Sequence, residues 1–314
     1  MQIPLLNSQI VRPETLPDNA ASFPYVRPMP TSALDIDLLK QWIGRQESVH
    51  DFMHPSHANA LAATLDRDEP FAEGASLPPL WHWVYFWSTT PASGVGADGH
   101  AKRGGFLPPV PLPRRMWAGG RLNFLAPLPV GRTADKVSRI LDVSMKSGAT
   151  GPLVFVTVEH RILSGGIECI VEEHDIVYRD QAAAGAPAPK GRPAPTDAQW
   201  SRRIDPDPVL LFRYSALTFN GHRIHYDRSY VTGVEGYPGL IVHGPLIATL
   251  LMDLVRRELP QRVVKAFSFR AVSPLFDIDS FTVNGRLSED GGSVVLWAAN
   301  ARGELAMQAE ATLA

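Results

Sequence analysis

The chain has 314 residues, 45% of them hydrophobic and 20% charged, with a net charge of -2, which fits two ordinary soluble domains and lacks the basic excess that a phosphate backbone attracts. Nucleic acid is therefore not an expected partner. The single cysteine, Cys169, cannot form an internal disulfide, no secretory start is visible, and no run reaches the roughly 20 apolar residues that span a bilayer, so a cytoplasmic protein with no membrane partner is expected.

Along the chain, residues 1–30 hold Pro4, Pro13, Pro17, Pro24, Pro28 and Pro30 with little periodicity and are expected to run extended. Residues 31–180 then read as one domain. Helical spacing covers 35–46 and 55–65, and an aromatic-rich stretch at 77–87 after Pro78-Pro79 predicts a third helix. Runs rich in β-branched residues predict strands over 115–124, 133–146, 153–163 and 167–178. The Ala/Pro/Gly run that opens residues 181–204 sustains neither helix nor central strand and predicts a linker. Residues 205–314 repeat the order: a short strand at 210–218, a long apolar helix within 238–259, and strands at 263–270, 280–287, 293–300 and 305–312. Both halves place a helix before an antiparallel sheet.

Chemistry concentrates between Arg213 and Asp227, where Phe219-Asn220-Gly221-His222-Arg223-Ile224-His225-Tyr226-Asp227 crowds acid/base side chains into one loop. A second segment, Pro238-Gly239-Leu240-Ile241-Val242-His243-Gly244-Pro245, opens the long helix. Together they resemble the signature of MaoC-like, R-specific enoyl-thioester hydratases, in which an acidic residue precedes a histidine by five positions. Asn220 at the acidic position is similar to the sub-branch of mesaconyl-CoA and itaconyl-CoA hydratases and mitochondrial 3-hydroxyacyl-thioester dehydratases. The resemblance implies an α+β double hot dog, two antiparallel sheets each wrapped around a long central helix, with an amino half degenerate in catalytic residues. It also implies an acyl-CoA thioester substrate, no metal or redox cofactor, and pairing of double units into a homodimer.

Hydration of a conjugated thioester needs a base for water, a proton for Cα and a donor to the thioester oxygen. His225 is the expected acid/base, because an unperturbed imidazole titrates near 6.5. Asn220 orients water but is no carboxylate base, so either His225 works alone or another carboxylate, Asp227 or one from the amino half, takes the missing part. By the resemblance the Gly244 N–H is the oxyanion donor, and a helix amino end suits that task. His222 and His243 are further candidates for substrate contact. Arg256, Arg257, Lys265 and Arg270 are candidate phosphate contacts, and an arginine is alternatively suited to a free acyl carboxylate. His50, His54 and His57 lack the partners of a zinc pattern. The loop at 94–105 has no dinucleotide fingerprint and is placed near the acyl-CoA entrance. The expected reaction is reversible hydration of a short branched or dicarboxylic enoyl-CoA. The rivals are a 3-hydroxyacyl-thioester dehydratase of fatty-acid metabolism, a hot dog thioesterase and a non-catalytic acyl-CoA-binding module.

Overall fold

The computed structural model describes residues 34–148, 151–180 and 191–314. The amino half supplies β1 (Gln46–Phe52), β2 (Arg114–Phe124), β3 (Thr133–Gly148), β4 (Gly151–Ser164) and β5 (Ile167–Arg179). The carboxyl half supplies β6 (Trp200–Ile204), β7 (Val264–Ala271), β8 (Phe281–Leu287), β9 (Ser293–Ala299) and β10 (Leu305–Leu313). All ten join in one antiparallel sheet, in the order β1-β3-β4-β5-β2-β7-β10-β9-β8-β6. The halves meet where β2 pairs with β7, Gly119 opposite Arg270 and Leu122 opposite Phe267. Gly119 is required at that seam, since a Cβ there would stand 2.6 Å from the Phe269 carbonyl oxygen. This is a double hot dog whose two half-sheets run into each other.

The helices are α1 (Ile36–Lys40), α2 (Pro55–Thr64), α3 (Pro208–Leu217), α4 (Arg228–Gly233) and α5 (Gly244–Glu258). They are unequal between the halves: α5 has 15 residues and α2, the longest in the described amino half, has 10. Packing of α5 against β8, β9 and β10 buries Leu246, Ile247, Leu250, Leu251 and Leu254. Each such side chain contributes about 1.5–3 kcal/mol when fully buried. Asp253 is buried on the same helix, and Arg67, Arg202 and Arg257 compensate it at 2.7, 3.0 and 2.7 Å. No helix among the described residues is long and apolar enough to cross a membrane.

Most of the predicted strands stand, and four local expectations change. Residues 210–218 are helical: Asp207 accepts the Leu210 N–H at 2.8 Å and Pro208 fills the first turn, so the cap overrides the strand-like composition. Only a 3-10 turn, Trp81–Val84, forms within 77–87, because Leu80 (φ 70°) and Phe86 (φ 56°) both adopt left-handed backbone and break the helix. Helix α1 stops at Lys40, and 46–52 becomes the edge strand β1. The last residues of the expected linker, Trp200–Ile204, pair with β8 as the opposite edge. The expected extended segment at 1–30 and the linker portion at 181–190 lie outside the described residues.

Candidate active site

The loop that follows α3 is shaped by its own backbone. Phe219 takes a left-handed conformation (φ 49°), the Asn220 N–H returns to the Ser215 carbonyl at 2.8 Å, and the Asn220 Oδ1 accepts the His222 N–H at 3.0 Å. A single 3-10 turn, Arg223–His225, then delivers His225 inward. The Phe219 ring stacks on Trp87 of the amino half at 5.3 Å, and Trp87 Nε1 donates to the Leu217 carbonyl at 2.9 Å.

His225 is buried, and its Nδ1 lies 2.7 Å from the Ile241 carbonyl oxygen. A carbonyl only accepts, so Nδ1 carries the proton and Nε2 is left as a lone pair. Burial pushes the imidazole down to about 4, against the Ile241 hydrogen bond that favours its charged form, and the nearby His100 lowers it further. The ring is therefore a neutral base at neutral pH. It lies flat on His243, with centroids 3.7 Å apart and planes 18° from parallel. His243 is the N-cap residue of α5, and its Nε2 meets Ser215 Oγ at 2.8 Å. Donation from Nε2–H to Ser215 leaves the buried, unpartnered Nδ1 as a bare lone pair rather than an orphan N–H. Burial and the neighbouring His225 hold this second imidazole well below its usual value. Gly244 follows as the first residue of α5, where N–H groups lack intrahelical partners and carry the positive end of the helix dipole. A Cβ at Gly244 would meet nothing closer than the Trp117 carbonyl oxygen at 4.0 Å, so this position is not crowded on its Cα side.

The other predicted residues divide. His222 joins the site, its ring perpendicular to His225 at 5.5 Å. Asp227 is occupied elsewhere: it caps α4 by accepting the Tyr230 N–H at 3.0 Å, accepts from Ser229 Oγ at 2.7 Å, and pairs with Arg223 at 2.7 Å. These contacts, the Ser229 hydroxyl first, hold its carboxyl down to about 2, and it does not replace the carboxylate missing at Asn220. Arg256 and Arg257 lie near the other end of α5, about 18 Å from Gly244 at 1.5 Å per residue. Arg256 pairs with Glu69 at 2.8 Å and lines a groove of about 420 Å³ with Arg67 and Arg262, while Arg257 binds Asp253 and the Leu65 carbonyl. Lys265 and Arg270 are exposed on β7, and Arg270 points away from the face of Phe267 and Phe269 into a 170 Å³ hollow with Arg192. The three early histidines separate: His50 pairs with Asp135 at 2.8 Å, His54 caps α2, and the His57 ring packs 5.1 Å from Tyr85.

Sequence reasoning left open a carboxylate from the amino half but named neither Asp98 nor His100. The loop at 94–105 lies against the Asn220–His225 loop, with the Asp98 carbonyl accepting the Arg223 N–H at 2.9 Å and the Ala97 carbonyl accepting from Arg223 Nη1 at 3.0 Å. Gly99 (φ 90°) approaches so closely that a Cβ would stand 1.8 Å from the Gly221 carbonyl oxygen. This docking brings His100 to 3.9 Å from His222, with His100 Nδ1 hydrogen-bonded to Asp98 Oδ2 at 3.1 Å. Burial alone would raise the Asp98 carboxyl, but the bonds and charge of His100 outweigh it and hold the acid ionised. The Asp-Gly-His spacing was visible in the sequence, but its distance of some 120 positions from His225 hid the encounter.

A neutral histidine base beside the open amino end of a buried hot dog helix defines an acyl-thioester lyase site. The chain matches the hydroxyacyl-thioester dehydratase type 2 family over residues 80–277 and belongs to that family. Among curated proteins it is 50% identical to the mesaconyl-C4-CoA hydratase of Chloroflexus aurantiacus, across 79% of this chain and 89% of that protein. It is 30% identical to the mitochondrial hydroxyacyl-thioester dehydratase type 2 of Schizosaccharomyces pombe, across 72% and 85%. Its fold is shared with a solved MaoC-like dehydratase from Phytophthora capsici, at 16% identity and a TM-score of 0.65, covering 89% of this chain and 99% of that one.

Proposed function

We propose that this enzyme, a hydro-lyase by family, adds water reversibly to the C=C of a short dicarboxylic enoyl-CoA, with mesaconyl-C4-CoA as its substrate. The observation that carries the reading is the tautomer of His225: Nδ1 is committed to the Ile241 carbonyl at 2.7 Å, which leaves Nε2 bare on a ring stacked against His243, the residue that precedes Gly244 at the start of α5. Asn220 and His225 hold the water against Cβ. As oxygen bonds to Cβ, the π pair moves onto Cα and the thioester oxygen, where the Gly244 N–H receives the developing charge. One water proton passes to His225 Nε2 and is then delivered to Cα. Atoms balance as one added water, and the route draws on no metal or redox cofactor. A carboxylate carried on Cβ would sit beside the histidines, and the Arg115 guanidinium, hydrogen-bonded to Tyr178 and near enough to His100 and His222 for its charge to act on both, would favour an anionic acyl group there. The likeness to the curated hydratase supports the same choice.

The second reading, dehydration of a 3-hydroxyacyl-thioester, runs the same steps backward and is favoured by the fission yeast relative. A substrate panel separates the two. Mesaconyl-, itaconyl-, crotonyl- and a longer straight-chain enoyl-CoA are followed by loss of the conjugated thioester absorbance and by product mass. A gain of one water confined to the C5 dicarboxylates is expected. Rates that climb with chain length would transfer the assignment to the dehydratase, and release of free thiol would point to a thioesterase.

A further inference from the structure

A water poised for addition has two hydrogens to place, and the site as drawn provides one base for them. His225 Nε2 takes the hydrogen that is transferred. Asn220 offers an amide N–H to the water oxygen, but its Oδ1 already accepts from the His222 N–H at 3.0 Å, and an amide oxygen holds no proton at neutral pH. Asp227 is consumed by its cap and by Arg223. Two imidazoles face His225 among the described residues: His243 is stacked flat on it at 3.7 Å, its Nε2 spent on Ser215 and its Nδ1 shut away from solvent, whereas His222 stands perpendicular to it at 5.5 Å without a hydrogen-bond partner on its ring.

The support behind His222 comes from the other half of the molecule. His100 packs on it at 3.9 Å, and Asp98 fixes His100 through both a ring bond and a backbone bond, each 3.1 Å. The loop that carries them is held by two contacts to Arg223 and by the glycine approach of Gly99 to Gly221. Acceptor atoms of Asp98, His100 and His222 all lie within 4.8 Å of one another.

We propose that His222 is the second acceptor for the attacking water, and that the Asp98–His100 pair of the amino half positions it, so that the two halves share the active site. This rests on the hydratase reading above. During addition His222 holds the hydrogen that remains on oxygen as the product hydroxyl, while His225 carries the other to Cα. Asp98 supplies the negative charge that balances the proton in transit. The groups facing this pair are His225, His243, Arg103 and Arg115.

The test compares wild type with His222→Gln, His100→Gln, Asp98→Asn and the Asp98→Asn/His222→Gln double variant, each checked for cooperative melting. Hydration of mesaconyl-C4-CoA should lose about 30- to 100-fold in kcat in His222→Gln with KM within about threefold, and about 5- to 20-fold in Asp98→Asn and His100→Gln. The double variant should be no worse than about twofold below His222→Gln, because the residues act as one unit. A His222→Gln enzyme that keeps more than half its kcat, or losses that multiply in the double variant, would overturn the proposal. Imidazole ¹⁵N spectra recorded against pH add an arm that needs no substrate: Asp98→Asn, which removes the acid bonded to His100 Nδ1 at 3.1 Å, should move the His100 titration to lower pH. An unmoved His100 titration would also overturn it, whereas a titration that moves as expected in an enzyme inert toward the whole panel would fault the substrate reading instead.

Discussion

Two histidine clusters, one in each half, contrast a polar network spent on its own hydrogen bonds with the one proposed to react. In the amino half, Glu172 is fully enclosed and receives His82 Nε2 and Trp83 Nε1 at 2.8 Å each, together with His174 Nε2. The row continues from His174 Nδ1 to His160 Nε2 at 3.3 Å and from His160 Nδ1 to Ser138 Oγ at 2.8 Å. One direction of donation, Ser138 to His160 to His174 to Glu172, satisfies every link with neutral rings. Desolvation would raise the Glu172 carboxyl, but the two histidines that serve it outweigh that cost and hold it well below the usual range. In the carboxyl half no carboxylate touches His225, and its Nε2 is unspent. The amino-half network spends its donors on one carboxylate, with only His82 Nδ1 left bare, whereas the bare Nε2 of His225 lies on the ring stacked against the residue that opens α5.

Breaking the open cluster should give the largest effect. His225→Ala is expected to lower kcat by about 10³-fold or more while product CoA-ester binding stays within about threefold, as steady-state rates and calorimetry would show. A variant that keeps a tenth of the activity would remove His225 from the acid/base role. The same residue sets the acid side of the pH profile. Its Nε2 must be unprotonated, so kcat/KM should hold down to moderate acidity and fall near pH 4. Stability follows the same sign: the unfolded imidazole binds its proton near 6.5 and the folded one near 4, so the contribution is complete above about 6.5 and is lost as pH falls toward 4.

The closed cluster should respond in the opposite currency. Glu172→Gln leaves three donors facing an amide, one of which must meet its NH₂, and should destabilise the fold by about 3 kcal/mol, seen as a melting point roughly 5–10 °C lower. The kcat of the folded fraction should remain within about twofold. A fall in kcat at unchanged melting temperature would show that the amino-half cluster takes part in turnover.

What was legible in the sequence follows from this contrast. Strands announced themselves through β-branched runs, and the helix opened by His243-Gly244-Pro245 through its apolar length, because both signals are local. His225 stood out by its five-residue spacing from Asn220. The helix at 208–217 was hidden because its deciding residues, Asp207 and Pro208, precede a stretch whose composition suits a strand. Asp98 and His100 were hidden for another reason: a glycine-rich loop has no periodicity, and only the tertiary approach of Gly99 to Gly221 reveals its task. Arg257 looked like a phosphate ligand because charge is visible in a sequence and its counter-charge is not.

Arg257 gives the smallest expected effect and tests that last point. Its Nε binds Asp253 at 2.7 Å and its Nη2 binds the Leu65 carbonyl at 2.8 Å, near the end of α5 remote from Gly244. Asp253 is also held by Arg67 and Arg202, so removing one of three cations leaves the buried acid paired. Arg257→Ala should therefore cost about 1 kcal/mol of stability and leave both kcat and KM within about twofold. A KM for the CoA ester that rises tenfold, with kcat unchanged, would mean that the carrier phosphates reach this end of the helix, and the groove lined by Arg67, Arg256 and Arg262 would then become part of the substrate path.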